Sequence, residues 1–255
     1  MHAPDQSQAP LVGHFAARLR YRAKSSGMRF LLICFLLFST LLSAQTLERS
    51  FGLEVAPHYN QRRISGTNNI TFTQLDRIDS LETGSAGYVL GLSYESRVDR
   101  IGYTTGIRYA RVGYATLEQE SGQQTTFSDR VTGHYLSLPF EINFYQDVSE
   151  KDRALFLLGV AGQYHLGTRT RRTSFSDGGE TGSEVLADDA TYRPVVLSFI
   201  TGIGYDRKLS SDWAIRFQPT FQFFLNGNLR PDTDILANRN YYQVGLRVVV
   251  RRLFI

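Results

Sequence analysis

Eight times along this chain a long run of residues alternates apolar with polar side chains, and that period of two limits the fold more than any other feature. Successive side chains of a β-strand point to opposite faces, so each run reads as a two-faced strand and not as a helix. The strands expected are 50–64, 84–98, 101–119, 131–145, 154–168, 192–206, 213–225 and 240–254, with no convincing amphipathic helix. The last one sets Tyr242, Val244, Leu246, Val248, Val250 and Phe254 on one row and Gln243, Gly245, Arg247 and Arg251 on the other. The first does the same with Phe51, Leu53, Val55, Pro57 and Tyr59, and the fourth with Leu136, Leu138, Phe140, Ile142 and Phe144. In the third the phase is expected to slip near Arg111, as a bulge or a barrel rim allows. A soluble sheet would bury the apolar row as core, whereas a membrane barrel turns it to lipid and encloses the polar row.

Connections and aromatic positions decide between these two folds. The links at 65–83, 120–130, 169–190 and 226–239 are long and polar, and they alternate with short links at 98–100, 146–153 and 207–212. An up-and-down barrel of the outer membrane has tight periplasmic turns and long outer loops. Phe51, Tyr94, Tyr103, Phe144, Phe156, Tyr205, Trp213 and Phe254 fall at the short-link end of the apolar face. Tyr59, Tyr88, Tyr109, Tyr164, Tyr192, Phe223 and Tyr242 fall toward the other end. Two aromatic belts at interfacial levels are expected of a membrane barrel and not of a soluble core. The fold class is therefore all-β, an eight-stranded antiparallel up-and-down transmembrane barrel.

The first 44 residues read as an upstream extension followed by a secretory signal at 28–44, with Arg29, an apolar run and the small pair Ser43-Ala44. Met28 is a second candidate start, and the barrel domain is expected over 45–255. Residues 1–44 hold Arg18, Arg20, Arg22, Lys24 and Arg29 against Asp5, a surplus of four that equals the formal net charge of +4. The mature part is then neutral, which removes the argument for a nucleic-acid partner. Cys34, the one cysteine, lies in the apolar run, so the exported part has no disulfide framework and no thiolate metal site.

The stretch from Gln45 to Ile255 resembles small outer-membrane β-barrels of the OmpA-transmembrane, OmpX and PorT-like type. "HYLSLPFEINFY" is similar to the fourth-strand segment of PorT-like domains. The end of the chain resembles the signal read by the barrel-assembly machinery, with Gln243, Gly245, Val248, Val250 and Phe254, although Ile255 follows the aromatic. The resemblance implies a bacterial outer-membrane location with both mature termini in the periplasm. It also implies the assembly machinery as a partner during biogenesis and, in the PorT-like case, a transport or secretion role.

Any chemistry lies on the enclosed row. Glu54, Glu95 and Glu141 are expected to meet Arg108, Arg216 and Arg247 there, because an isolated buried ion is very costly and eight strands leave room for little besides side chains. That reading makes the lumen a salt-bridged plug, with a small pore as the alternative. A lipid-modifying enzyme is weighed and set aside, since alternation puts His134 and Ser137 on opposite faces. His58 and His165 lack a third metal ligand at a telling spacing, and "TGIGY" lies within a strand and not at a phosphate-binding turn. No catalytic, cofactor or metal residues are assigned.

Arg62, Arg63, Arg130, Arg169, Arg171, Arg172, Arg193 and Arg239 fall at the expected outer ends of strands, where guanidinium groups suit lipopolysaccharide phosphates. Asp177, Glu180, Glu184, Asp188 and Asp189 make the third long link acidic. The function expected is a structural or surface-interaction role carried by the outer loops, in contact with outer-membrane lipid and an unidentified surface or secretion partner. No wall-binding domain is expected after Ile255.

Overall fold

A computed structural model describes residues 47–66, 70–120, 125–186, 192–230 and 237–254. The expected export signal at 28–44 with Cys34, the loop acids Asp188 and Asp189, and Ile255 lie outside the described residues. The elements in chain order are β1 (Leu47–Gly66), α1 (Phe72–Leu81), β2 (Glu82–Val98), β3 (Ile101–Thr116), β4 (Gln119–Glu120) and β5 (Thr125–Asp147). They continue with β6 (Asp152–Ser176), β7 (Gly179–Leu186), β8 (Val195–Lys208), β9 (Trp213–Phe224) and β10 (Ala237–Phe254).

Eight of these strands form a ring in the order β1-β2-β3-β5-β6-β8-β9-β10, every neighbour antiparallel, and β10 returns to β1 from Arg49↔Phe254 to Gly66↔Ala237. Closure leaves the barrel wall without an edge, so its strands pair their backbone groups with one another. Alternation then separates two environments. In β1, Ser50, Glu54, His58 and Asn60 are buried in the lumen, while Phe51 and Leu53 are 59% and 66% exposed on the outer wall. Leu92, Leu138, Ile203 and Val244 continue that apolar wall, an exposure that lipid covers in a membrane barrel. From Phe51 to Tyr59 the strand runs about 27 Å at about 3.4 Å per residue. A tilt of about 40° turns this into about 20 Å of height, close to an outer-membrane apolar band.

The structure departs from the sequence reading in four places. Strand β3 keeps its alternation through Arg111; the slips lie elsewhere, in β2 between Gly84 and Tyr88 and in β6 at Leu166, opposite His134-Tyr135 of β5. The "GSAG" stretch absorbs the extra residue because glycines tolerate a bulge. The β5–β6 ladder continues to Thr125↔Ser176, and β6 turns into β7 at Asp177-Gly178, both at positive φ (52° and 78°), as a two-residue hairpin turn requires. In the first long link α1 forms behind a capping box between Thr71 and Gln74, with no buried residue along it. Tyr192 stands outside β8 in a single bridge to Leu229 and stacks on His165 at 4.6 Å, so it leaves the outer belt.

Candidate functional site: the lumen and its rim

Lumen-facing side chains arrange themselves in layers, starting from the short turns. The first is Glu48, which holds Arg153 at 3.2 Å, Arg97 at 3.6 Å and Lys208 at 3.7 Å. Above it Glu95 and Asp206 face Arg216 and Arg251. Arg216 Nη2 reaches Glu95 at 2.9 Å, Arg251 Nη1 reaches it at 2.7 Å, and Arg251 also pairs with Asp206. The Tyr145 and Thr104 hydroxyls donate to Glu95 at 2.6 and 2.8 Å. Two acids and two guanidiniums make this layer neutral, and neutrality is what permits burial of all four.

The next layer repeats that balance. Arg108 grips Glu54 through Nε and Nη2 and reaches Glu141 through Nη1 at 2.5 Å, and Arg247 takes the other Glu141 oxygen at 2.9 Å. Space for this cross-lumen pairing comes from glycine: a Cβ on Gly91 would lie 2.7 Å from Arg108 Cγ and 2.8 Å from Glu54 Oε1. The six charged residues read from sequence thus fall into two separate layers: Glu54, Arg108, Glu141 and Arg247 make one by themselves, and Glu95 and Arg216 are completed in the other by Asp206 and Arg251.

Over the second charged layer lies a cavity of about 20 Å³, lined in part by His58, Ser137, Gln163 and Gln243. That is about the space of one water molecule. Beyond it the lumen turns aromatic. Tyr135 meets Phe224 edge-on at 5.6 Å, Phe224 meets Tyr241 edge-on at 5.7 Å, and His165 packs on Tyr135 at 5.4 Å. Val112 and Val196 fill the gaps between these rings, and both pack with Tyr135, Phe224 and Tyr241 in one buried cluster. Edge-to-face pairs add to the area they bury. Sequence reasoning missed this layer, yet its phase was readable: Tyr135 shares a row with Ser137 and Glu141, and Tyr241 shares one with Gln243.

The histidines are far apart in role. His134 faces outward with Nδ1 2.5 Å from the Tyr109 hydroxyl, Ser137 lines the lumen cavity, and His165 bonds the Thr168 hydroxyl at 2.9 Å. Among the described residues no group of three or more metal-ligating side chains is placed to hold a metal.

The eight rim arginines divide. Arg62 and Arg239 turn inward, sharing Glu82 over the Tyr114 ring. Arg172 makes two 2.8 Å bonds to Asp129, and Arg193 donates to the Leu229 carbonyl at 2.9 Å. Arg63 is exposed on β1. Arg130, Arg169 and Arg171 stand together on the outer wall with Arg111, which the sequence reading left out.

A family model described as outer membrane protein beta-barrel domain matches residues 43–231. No curated protein matches the chain. Among solved structures, Neisserial surface protein A (NspA) is 12% identical, with 79% of this chain and 96% of that one covered at a TM-score of 0.37. OprG from Pseudomonas aeruginosa is 11% identical over 82% and 97% of the two chains, at a TM-score of 0.43. Ail of Yersinia pestis is 14% identical over 80% and 97%, at a TM-score of 0.27.

Proposed function

This chain belongs to the outer membrane protein beta-barrel domain family, and from that premise we propose that it is a closed, non-conducting barrel with a structural or surface-interaction role. The observation that carries this reading is the sequence of lumen layers: two neutral ion-pair layers, a water-sized cavity and an aromatic layer in series. An ion crossing the lumen would have to break each of them. In the same reading the leader over 1–44 is removed on export, the short turns and both mature termini face the periplasm, and the barrel-assembly machinery inserts the chain. The working surface is then the outer end, where β5, β6 and β7 continue past the ring. A barrel without catalysis is supported by the separation of His134, on the outer wall, from Ser137, in the lumen, on opposite faces of β5.

Planar-bilayer recording tests the reading. The folded protein is expected to give no stable single-channel steps; reproducible steps would replace the closed barrel with a small pore and favour a transport role.

A further inference from the structure

Two sets of arginines in this barrel stand in contrast. Arg108, Arg216, Arg247 and Arg251, inside the lumen, each hold a carboxylate. Arg111 on β3, Arg130 on β5, and Arg169 and Arg171 on β6 point outward and hold none among the described residues. Strand register gathers these four into one block: Arg130 lies directly across from Arg171, Thr132 from Arg169, and Arg111 from His134. Like charges facing each other across two strands are destabilising, a cost that an external anion would offset.

The four guanidiniums line a depression of about 330 Å³ together with Tyr88, Thr132 and His134. The Arg111 guanidinium sits 6.0 Å from the centre of the Tyr88 ring, and His134 is braced by Tyr109. Guanidinium forks match phosphate oxygens two at a time, and the hydroxyl and imidazole groups between them supply neutral hydrogen bonds. Below this block, on the same strands, the wall becomes apolar at once: Leu136 follows His134, then Leu138 at 58% exposure, with Leu166 at 53% and Tyr164 at 52% beside them. The surface is thus amphipathic along the membrane normal, cationic above and apolar below.

We infer that this depression binds the phosphate of an outer-leaflet glycolipid whose acyl chains lie on the apolar wall beneath it. The inference rests on the reading that the long connections face outward. A free phosphate would use the guanidiniums and leave the wall below without a role, and a neutral lipid would do the reverse.

The test uses the full chain extracted from outer membranes in detergent. It is titrated with a bis-phosphorylated glycolipid, with the same lipid after phosphatase treatment, and with inorganic phosphate as competitor. The wild-type protein is expected to bind the phosphorylated lipid at least tenfold more tightly than the dephosphorylated one. Arg130→Gln with Arg171→Gln should abolish that preference, while Arg49→Gln with Arg252→Gln, which removes two outward charges from the opposite end, should keep it. Equal binding of the two lipids by wild-type protein, or equal preference in both double variants, overturns the site. Displacement of the lipid by inorganic phosphate alone overturns the lipid assignment. Labelling of Glu180→Cys by a membrane-impermeant maleimide on intact cells reads the orientation separately: no labelling overturns that premise and leaves the micelle titration standing.

Discussion

Near the short turns this lumen is filled by ion pairs, and toward the long connections it is filled by aromatic rings, with the Glu82 pair to Arg62 and Arg239 over them at the rim. The difference teaches where each kind of filling is stable. A buried carboxylate needs a partner for every oxygen, so Glu95 and Glu141 sit deep in the barrel, where strands on opposite sides of the narrow lumen supply guanidiniums at 2.5 to 3.1 Å. Rings need only contact area, and they suit the level where Tyr135, Phe224 and Tyr241 close over one another. The two fillings also cooperate. A dry aromatic layer keeps bulk water from the charges below, and a lower local dielectric makes each ion pair stronger and its rupture more costly.

Arg108 offers the sharpest way to break that account. Replacing it with Met leaves Glu54 without its guanidinium and Glu141 with Arg247 alone. A buried carboxylate stripped of its partner costs about 3–5 kcal/mol, so Arg108→Met should lower urea stability by that much. Adding Glu54→Gln should recover a measurable part, since the two positions are coupled. A loss below about 1 kcal/mol would mean that water reaches this layer, and the contrast between the two halves would fall with it.

Phe224 tests the other half. In a sealed core a Phe→Ala change costs about 3–5 kcal/mol. Phe224 is fully buried here, so Phe224→Ala should cost about 3 kcal/mol, at or below the loss of Arg108. The variant should still show no conductance steps, because both charged layers remain. Steps from Phe224→Ala would make the rings the true seal and the ion pairs secondary.

What the sequence disclosed, and what it hid, follows the same division. The outer wall was legible because lipid imposes one uniform demand: Leu53, Leu138, Leu246 and Val248 had only to be apolar at every second position, and strand register followed. Inside, each residue is chosen by the residue across the lumen, and sequence order does not say which strand lies opposite. Glu54, Arg108 and Glu141 were recognisable as enclosed charges, yet their division into layers, and the recruitment of Arg251 and Asp206, depend on how far each strand is sheared against the next. The aromatic layer was hidden for another reason: an aromatic ring suits an interfacial belt as well as a lumen layer, so Tyr135 and Tyr241 on the polar row carry no signal that tells the two apart. Outside the membrane neither face is buried, so α1 and the β6–β7 hairpin carried no hydrophobic period. Their signals were local, the Thr71–Gln74 capping box and the Asp177-Gly178 dipeptide.

The smallest expected effect belongs to the turn between β5 and β6, at the ion-paired end. Asp152 titrates below the usual aspartate range because the Tyr205 hydroxyl donates to Oδ1 and, next in weight, the Ser149 hydroxyl donates to Oδ2, with Arg207 at 3.7 Å adding attraction. A carboxyl whose folded value lies below its unfolded one stabilises the protein fully above about pH 4. That contribution is lost as pH falls through the folded value. Asp152→Asn keeps an acceptor for Tyr205 but removes the charge, so its urea midpoint should fall less steeply than wild type between about pH 4 and pH 2. At pH 7 the two should differ little, since this turn is open to solvent and water screens the interaction. Coincident pH profiles would show that the turn adds no acid-sensitive stability. The ion-paired end would then owe its hold to the enclosed layers alone, which sharpens the contrast with the aromatic end.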